Sequence, residues 1–197
     1  MRGNRLRVSV TRLLILILLA PVLAGKATGS EPPKEVLDER TGATIVTVAR
    51  SLVFIRQGDL TFDASRCYAS VSAASIDQSG KVSTIFVAYF WCAGARSESD
   101  EADSRSRPLV LQADTQRIEL TRELDGSAAQ AVTNFTYRPP LGHAVPQVYP
   151  ADLAAMETVG NCSHLVLYIG SGDKQLKYEL FEDGRRALRD FVTQVGQ

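Results

Sequence analysis

The sequence has 197 residues, of which 45% are hydrophobic and 22% charged, which is enough to bury one core and short for two. Four of its 22 basic residues and none of its 22 acidic residues lie within the first 12 positions, so the rest of the chain carries 18 basic and 22 acidic residues, a net charge of −4. This balance excludes the strongly basic surface that binding to nucleic acid or to an anionic membrane requires.

The first 24 residues have the parts of a secretory signal peptide. Four arginines give a positive start, residues 13–24 form an uninterrupted apolar run, and Val22 and Ala24 occupy the small-residue positions before a cut at Gly25. An uncleaved membrane anchor is the alternative, but the run is shorter than the roughly 20 residues that span a bilayer. We therefore predict that residues 1–24 are removed and that the product is periplasmic or secreted, with no membrane span.

Residues 25–34, with Pro32 and Pro33, are predicted to be a flexible lead-in, and residues 35–197 a single exported β-rich domain. The apolar residues of this domain fall mainly into short β-branched and aromatic runs separated by turn residues. This spacing is typical of an antiparallel sheet or a β-sandwich-like domain. The predicted strands are 44–48, 52–55, 67–76, 83–91, 109–112, 117–120, 165–169 and 176–180.

Two helices are predicted near the C-terminus. For a short helix, Pro150 fits the first position and Gly160 the C-terminal cap, with Leu153 and Met156 facing inward. Asp183 fits the N-cap of a second, amphipathic helix that we expect to pack on the sheet. The apolar stripe of that second helix consists of Leu188, Phe191, Val192 and Val195.

Three segments are predicted to be connections. Residues 96–107 are almost wholly polar and are predicted to be a solvated loop, and the proline-rich stretch 137–150 an extended connector. Ser171 and Lys174 match a Ser-x-x-Lys pattern, but the four residues from Ser171 to Lys174 are typical of a tight turn between two strands.

The turn at Ser79-Gly80 predicts a disulfide. A two-residue hairpin turn there pairs residues whose numbers sum to 159, which places Cys67 opposite Cys92. The same register puts small apolar residues of one strand opposite large apolar residues of the other on a single face. Directly opposed side chains are close enough to be bridged, and the exported chain meets an oxidising compartment. We therefore predict a structural Cys67–Cys92 disulfide.

The remaining candidates for a site are Cys162, His164 and His143. Cys162 is interpreted as a buried core thiol, with an intermolecular crosslink or a metal ligand beside His164 as alternatives. A hydrolase would have to take its base from His143 or His164, because the chain has no other histidine, and no Gly-x-Ser-x-Gly motif accompanies either one. The spacing of a zinc site is absent, and we expect no cofactor.

No motif in the sequence specifies a reaction. We therefore expect a non-catalytic binding or accessory module of the cell envelope, with an envelope protein as the expected kind of partner. The alternatives are a small periplasmic hydrolase that uses His143 or His164 and a metal-handling protein that uses Cys162 and His164.

Overall fold

The structure is a computed structural model that describes residues 31–57, 66–93, 108–123, 132, 136, 139, 144–170 and 175–197. Residues 31–197 form one compact unit. The predicted signal peptide 1–24, most of the predicted lead-in 25–34, the loop 96–107 and the turn 171–174 lie outside the described residues. The strands are β1 (Lys34–Asp38), β2 (Ala43–Thr47), β3 (Leu52–Gln57), β4 (Arg66–Gln78), β5 (Lys81–Ala93), β6 (Leu109–Ala113), β7 (Gln116–Leu120), β8 (Gln147–Pro150), β9 (Leu165–Ile169) and β10 (Leu176–Glu182), and the helices are α1 (Leu153–Asn161) and α2 (Arg185–Val195).

All of these strands belong to one antiparallel sheet with the long strand β4 near its centre. On one side, β4 pairs with β5 along its whole length. On the other side it pairs first with β2 and then with β3. The sheet continues from β3 through β10, β9 and β6 to β7, while β1 extends it beyond β2 and β8 extends it beyond β5. The predicted mainly β, antiparallel single domain with two helices is confirmed.

The predicted hairpin register is also confirmed. Ser79 and Gly80 both have positive φ (57° and 81°), as a two-residue turn that follows the strand twist requires, and the Gly80 N–H donates to Asp77 Oδ1 at 2.9 Å. β4 and β5 pair from Gln78 opposite Lys81 to Arg66 opposite Ala93. Cys67 and Cys92 are therefore directly opposed, and they form a disulfide with 4.0 Å between their Cα atoms.

Both faces of this hairpin are buried, each in its own cluster. The face predicted to be apolar, with Ala69 and Phe90, belongs to the helix-side core, which also receives residues of both helices. The opposite face belongs to the outer core, which contains Val53, Tyr89 and Val132. Ser70 and Ser72 lie on that second face of β4 and are fully buried, at 0% and 1% exposure. Buried hydroxyl groups at these positions need hydrogen-bond partners.

The ends of α1 differ from the prediction. Pro150 is the last residue of β8, where it lies opposite Ile85 on an edge strand, and Asp152 is the N-cap, accepting the Ala155 N–H at 2.7 Å. Gly160 is a buried residue inside the helix, and Cys162 is the C-cap. The glycine allows α2 to approach closely, since a Cβ atom there would lie 3.0 Å from Arg189 Cγ. Strand pairing and helix packing thus override the local signals of proline and glycine.

The second helix has the predicted apolar stripe, with a corrected cap. Leu188 and Phe191 are buried and Val192 and Val195 half-buried in the helix-side core, where α2 packs on α1 as well as on the sheet. The N-cap is Gly184, and Asp183 lies one residue earlier. Within the described ranges, neither helix combines the length and apolar character needed to cross a bilayer.

Candidate functional site

Cys162 and His164 lie at the junction between α1 and β9. Cys162 is the C-cap of α1 and is 9% exposed, and its thiol lies 3.2 Å from the carbonyl oxygen of Val159, to which it donates. Burial raises the pKa of the Cys162 thiol. A neutral, buried thiol is a poor nucleophile and a poor metal ligand, because both roles need the thiolate.

Two charged residues that the sequence analysis did not select hold this junction in place. Asp114, in the turn between β6 and β7, accepts the backbone N–H of Ser163 at 3.0 Å and that of His164 at 2.7 Å. Arg185, the first residue of α2, donates to the carbonyl oxygens of Cys162 and Ser163. The polar groups here are therefore occupied by main-chain atoms, and the arrangement serves to join the elements.

The junction does not assemble a metal site or a catalytic set among the described residues. No group of three or more histidine, cysteine, aspartate or glutamate side chains lies close enough together there to hold a metal ion. His164 is exposed. His143, the other predicted candidate, lies outside the described residues. A neighbouring cleft of about 480 Å³ is lined by residues 113–116, by four residues of α1 and by Cys162. Asp114 and Cys162 in this lining already have the main-chain partners given above.

The charged residues of the junction predict a pH dependence of stability. The backbone N–H groups of Ser163 and His164 hold the pKa of Asp114 below its ordinary value, and the hydrogen bond from Arg185 lowers the pKa of Asp183. Carboxylates of this kind contribute stability above their unfolded-state pKa that is lost as the pH falls toward the folded-state pKa. Wild-type protein should therefore lose unfolding free energy progressively below about pH 5.

The Asp114→Asn variant isolates the contribution of that residue. It should be less stable than wild type at neutral pH and should lose less stability on acidification, because asparagine does not titrate and accepts the two N–H groups more weakly. Urea unfolding at a series of pH values measures both effects. Glu119→Gln, on an exposed position of β7, controls for the loss of one negative charge. A variant whose stability falls with pH as steeply as that of wild type contradicts this role for Asp114.

A different cleft, of about 330 Å³, opens where β2 gives way to β3. Between the pairs Thr47–Ala74 and Leu52–Val71, β4 contributes two residues and the opposing chain four, residues 48–51. Because of this bulge, Ala49 and Arg50 are not paired with residues of β4. The cleft is lined by bulge residues and by Lys34, Val53, Thr136 and Glu182.

The N-terminus of α2 packs directly on the bulge. A Cβ atom on Gly184 would lie 2.5 Å from the carbonyl oxygen of Ser51 and 2.8 Å from that of Arg50, so only glycine permits this approach. Because Gly184 packs on Ser51, Glu182, two residues earlier in the chain, is held at the wall of the cleft.

Buried hydroxyl groups surround this bulge. Ser51 and Ser72 share a hydrogen bond of 2.6 Å between their Oγ atoms. Thr136, which lines the cleft, is 8% exposed, and its Oγ1 has no partner among the residues that the structure describes. Ser70, directly opposite the cleft residue Val53, is fully buried, and within the described ranges its Oγ also has no partner. Such groups cost about 1–3 kcal/mol each unless something outside the chain bonds to them.

These features define a mainly β domain that has a disulfide-bridged central hairpin, two helices on one face and a hydroxyl-lined cleft at a bulge. No protein-family model, curated protein or solved structure matches the chain. The cleft was not predicted from the sequence, since serine and threonine are too common to mark a site without the fold that gathers them.

Proposed function

We propose that this protein is an exported, non-catalytic binding module of the cell envelope, and that the cleft at the β2–β3 bulge binds a small polar molecule. Export rests on the signal peptide predicted for residues 1–24, and the Cys67–Cys92 disulfide is compatible with an oxidising compartment outside the cytoplasm. The binding role rests on the cleft.

The observation that carries the proposal is that Thr136, a residue of the cleft wall, has a buried hydroxyl group with no partner among the described residues. A buried hydroxyl without a partner is unfavourable in the free protein, so a ligand gains binding energy if the Thr136 side chain turns towards it and forms a hydrogen bond. The Ser51–Ser72 pair adds to this, because a bond between two hydroxyl groups uses only one of their two protons and leaves the other to donate.

The same cleft favours binding over catalysis. Its lining residues include no histidine and no cysteine, and among the described residues no hydrogen bond joins the carboxylate of Glu182 to the hydroxyl group of Ser51 or Thr136. Hydroxyl groups without a base bonded to them act as hydrogen-bond donors and acceptors.

The test compares two threonine-to-valine variants of the mature protein. Thr136→Val removes an unpartnered hydroxyl and should raise the unfolding free energy by about 1 kcal/mol. Thr84→Val is the matched control, because Thr84 Oγ1 donates to the carbonyl oxygen of Ala151 at 2.5 Å and its loss should lower stability by about 1 kcal/mol. Urea unfolding measures both values.

Thermal-shift screening of wild type with small polar compounds completes the test. A compound that raises the Tm of wild type and of Thr84→Val, but not of Thr136→Val, supports binding at the cleft. If Thr136→Val destabilises the protein as Thr84→Val does and no polar compound shifts the Tm of wild type, the proposed function is wrong.

A further inference from the structure

Two opposite charges line the cleft without neutralising each other. Arg50 projects from the bulge and Glu182 ends β10, directly opposite the cleft residue Val53. Within the described part of the chain, neither side chain forms a salt bridge. The third charged lining residue, Lys34, forms an exposed salt bridge with Glu31 at 3.3 Å.

The charges and the volume together restrict the ligand. A simple anion would be attracted to Arg50 but repelled by the carboxylate of Glu182. A simple cation would be attracted to Glu182 but repelled by Arg50. A neutral polyol would use the hydroxyl groups and neither charge. A volume of about 330 Å³ is at the lower end of the range of ligand sites and suits a molecule of about ten heavy atoms.

We propose that the cleft binds a free α-amino acid, with the carboxylate of the ligand at Arg50 and its ammonium group at Glu182. This inference rests on the proposed function and names the class of ligand for the same site. Arginine matches a carboxylate through two parallel N–H donors, and the glutamate carboxylate accepts from an ammonium group. Ser51 and Thr136, which line the same cleft, supply hydroxyl groups for the remaining polar atoms of the ligand.

The experiment uses calorimetric titration of the mature protein with each of the twenty common L-amino acids at millimolar concentrations. The tightest binder is then compared with its N-acetyl derivative, which lacks the ammonium charge, and with its amide, which lacks the carboxylate. Each derivative should bind about tenfold more weakly than the free amino acid, because each loses one charge-assisted contact.

Two variants assign each charge of the ligand to its partner. Arg50→Gln should weaken the free amino acid about tenfold and leave the affinity of the amide unchanged, whereas Glu182→Gln should weaken the free amino acid similarly and leave the N-acetyl derivative unchanged. Arg117→Gln and Glu119→Gln, at exposed positions of β7, are the matched controls and should bind as wild type does.

The outcomes separate this inference from the proposed function. If a neutral polar compound binds through Thr136 and the Arg50 and Glu182 variants bind it normally, the cleft is a binding site but the amino-acid inference is wrong. If none of the twenty amino acids binds, the inference is also wrong, and the Thr136→Val and polar-compound results decide separately on the proposed function.

Discussion

The Cys67→Ala/Cys92→Ala double variant is expected to lose about 3 kcal/mol of unfolding free energy. The disulfide joins residues 25 positions apart, and a cross-link of that span removes conformational entropy from the unfolded chain on this scale. Cys67 is 3% exposed and packs in the helix-side core, so the alanines also leave space where the sulfur atoms were. Denaturant unfolding of both proteins under oxidising conditions measures the difference.

The third cysteine provides the control for this measurement. Cys162 is a free thiol, so the Cys162→Ala variant should still be destabilised by a reducing agent, whereas the double variant should not respond. Peptide mapping of the oxidised protein should find Cys67 linked to Cys92. An equal response of wild type and the double variant to reductant would contradict the stabilising role of the bond.

The hairpin shows what this sequence predicts well. The Ser79-Gly80 turn is formed by neighbouring residues and sets the pairing register of the two strands. The register is kept along both strands, because a shift of one residue would exchange the two faces of each strand. A single turn therefore positions Cys67 opposite Cys92, eleven residue pairs away from Gln78 opposite Lys81.

Contacts between distant segments were not predictable in this way. The bulge at 48–51 exists because β4 is long enough to pair with two successive strands. The sequences of β2 and β3 do not indicate that both strands pair with β4. Asp114 lies about fifty positions from the N–H groups of Ser163 and His164 that it accepts. Strand β1 was missed because its residues are mostly exposed and lack an apolar face, and it is defined by pairing with β2.

The site residues predicted from the sequence stand out by chemical type, and the structure brings other residues together. Cysteine and histidine attracted attention because they are rare and reactive, yet Cys162 is buried and its thiol neutral. The cleft is made of hydroxyl groups and ordinary charges from four separate segments, around Lys34, Ser51, Thr136 and Glu182. Residues of these types indicate a binding site only when the fold shows which of them lack hydrogen-bond or ion-pair partners.

The Phe191→Ala variant is expected to lose about 3–5 kcal/mol of unfolding free energy, the largest effect of any single substitution considered. Phe191 is 0% exposed in the helix-side core, and removing its ring leaves a cavity between α2 and the rest of that core. Urea unfolding measures the loss, and Gln194→Ala, at an exposed position of the same helix, should change stability by less than about 0.5 kcal/mol.

The same variant tests whether the helix supports the cleft. Gly184, the N-cap of α2, packs on the backbone of Ser51, so a helix loosened by the loss of Phe191 should also loosen the bulge. Hydrogen exchange of the backbone amides at 49–51, measured under conditions where Phe191→Ala remains folded, should therefore be faster than in wild type and in Gln194→Ala. Unchanged exchange there, together with a large loss of stability, would show that α2 stabilises the core without positioning the bulge.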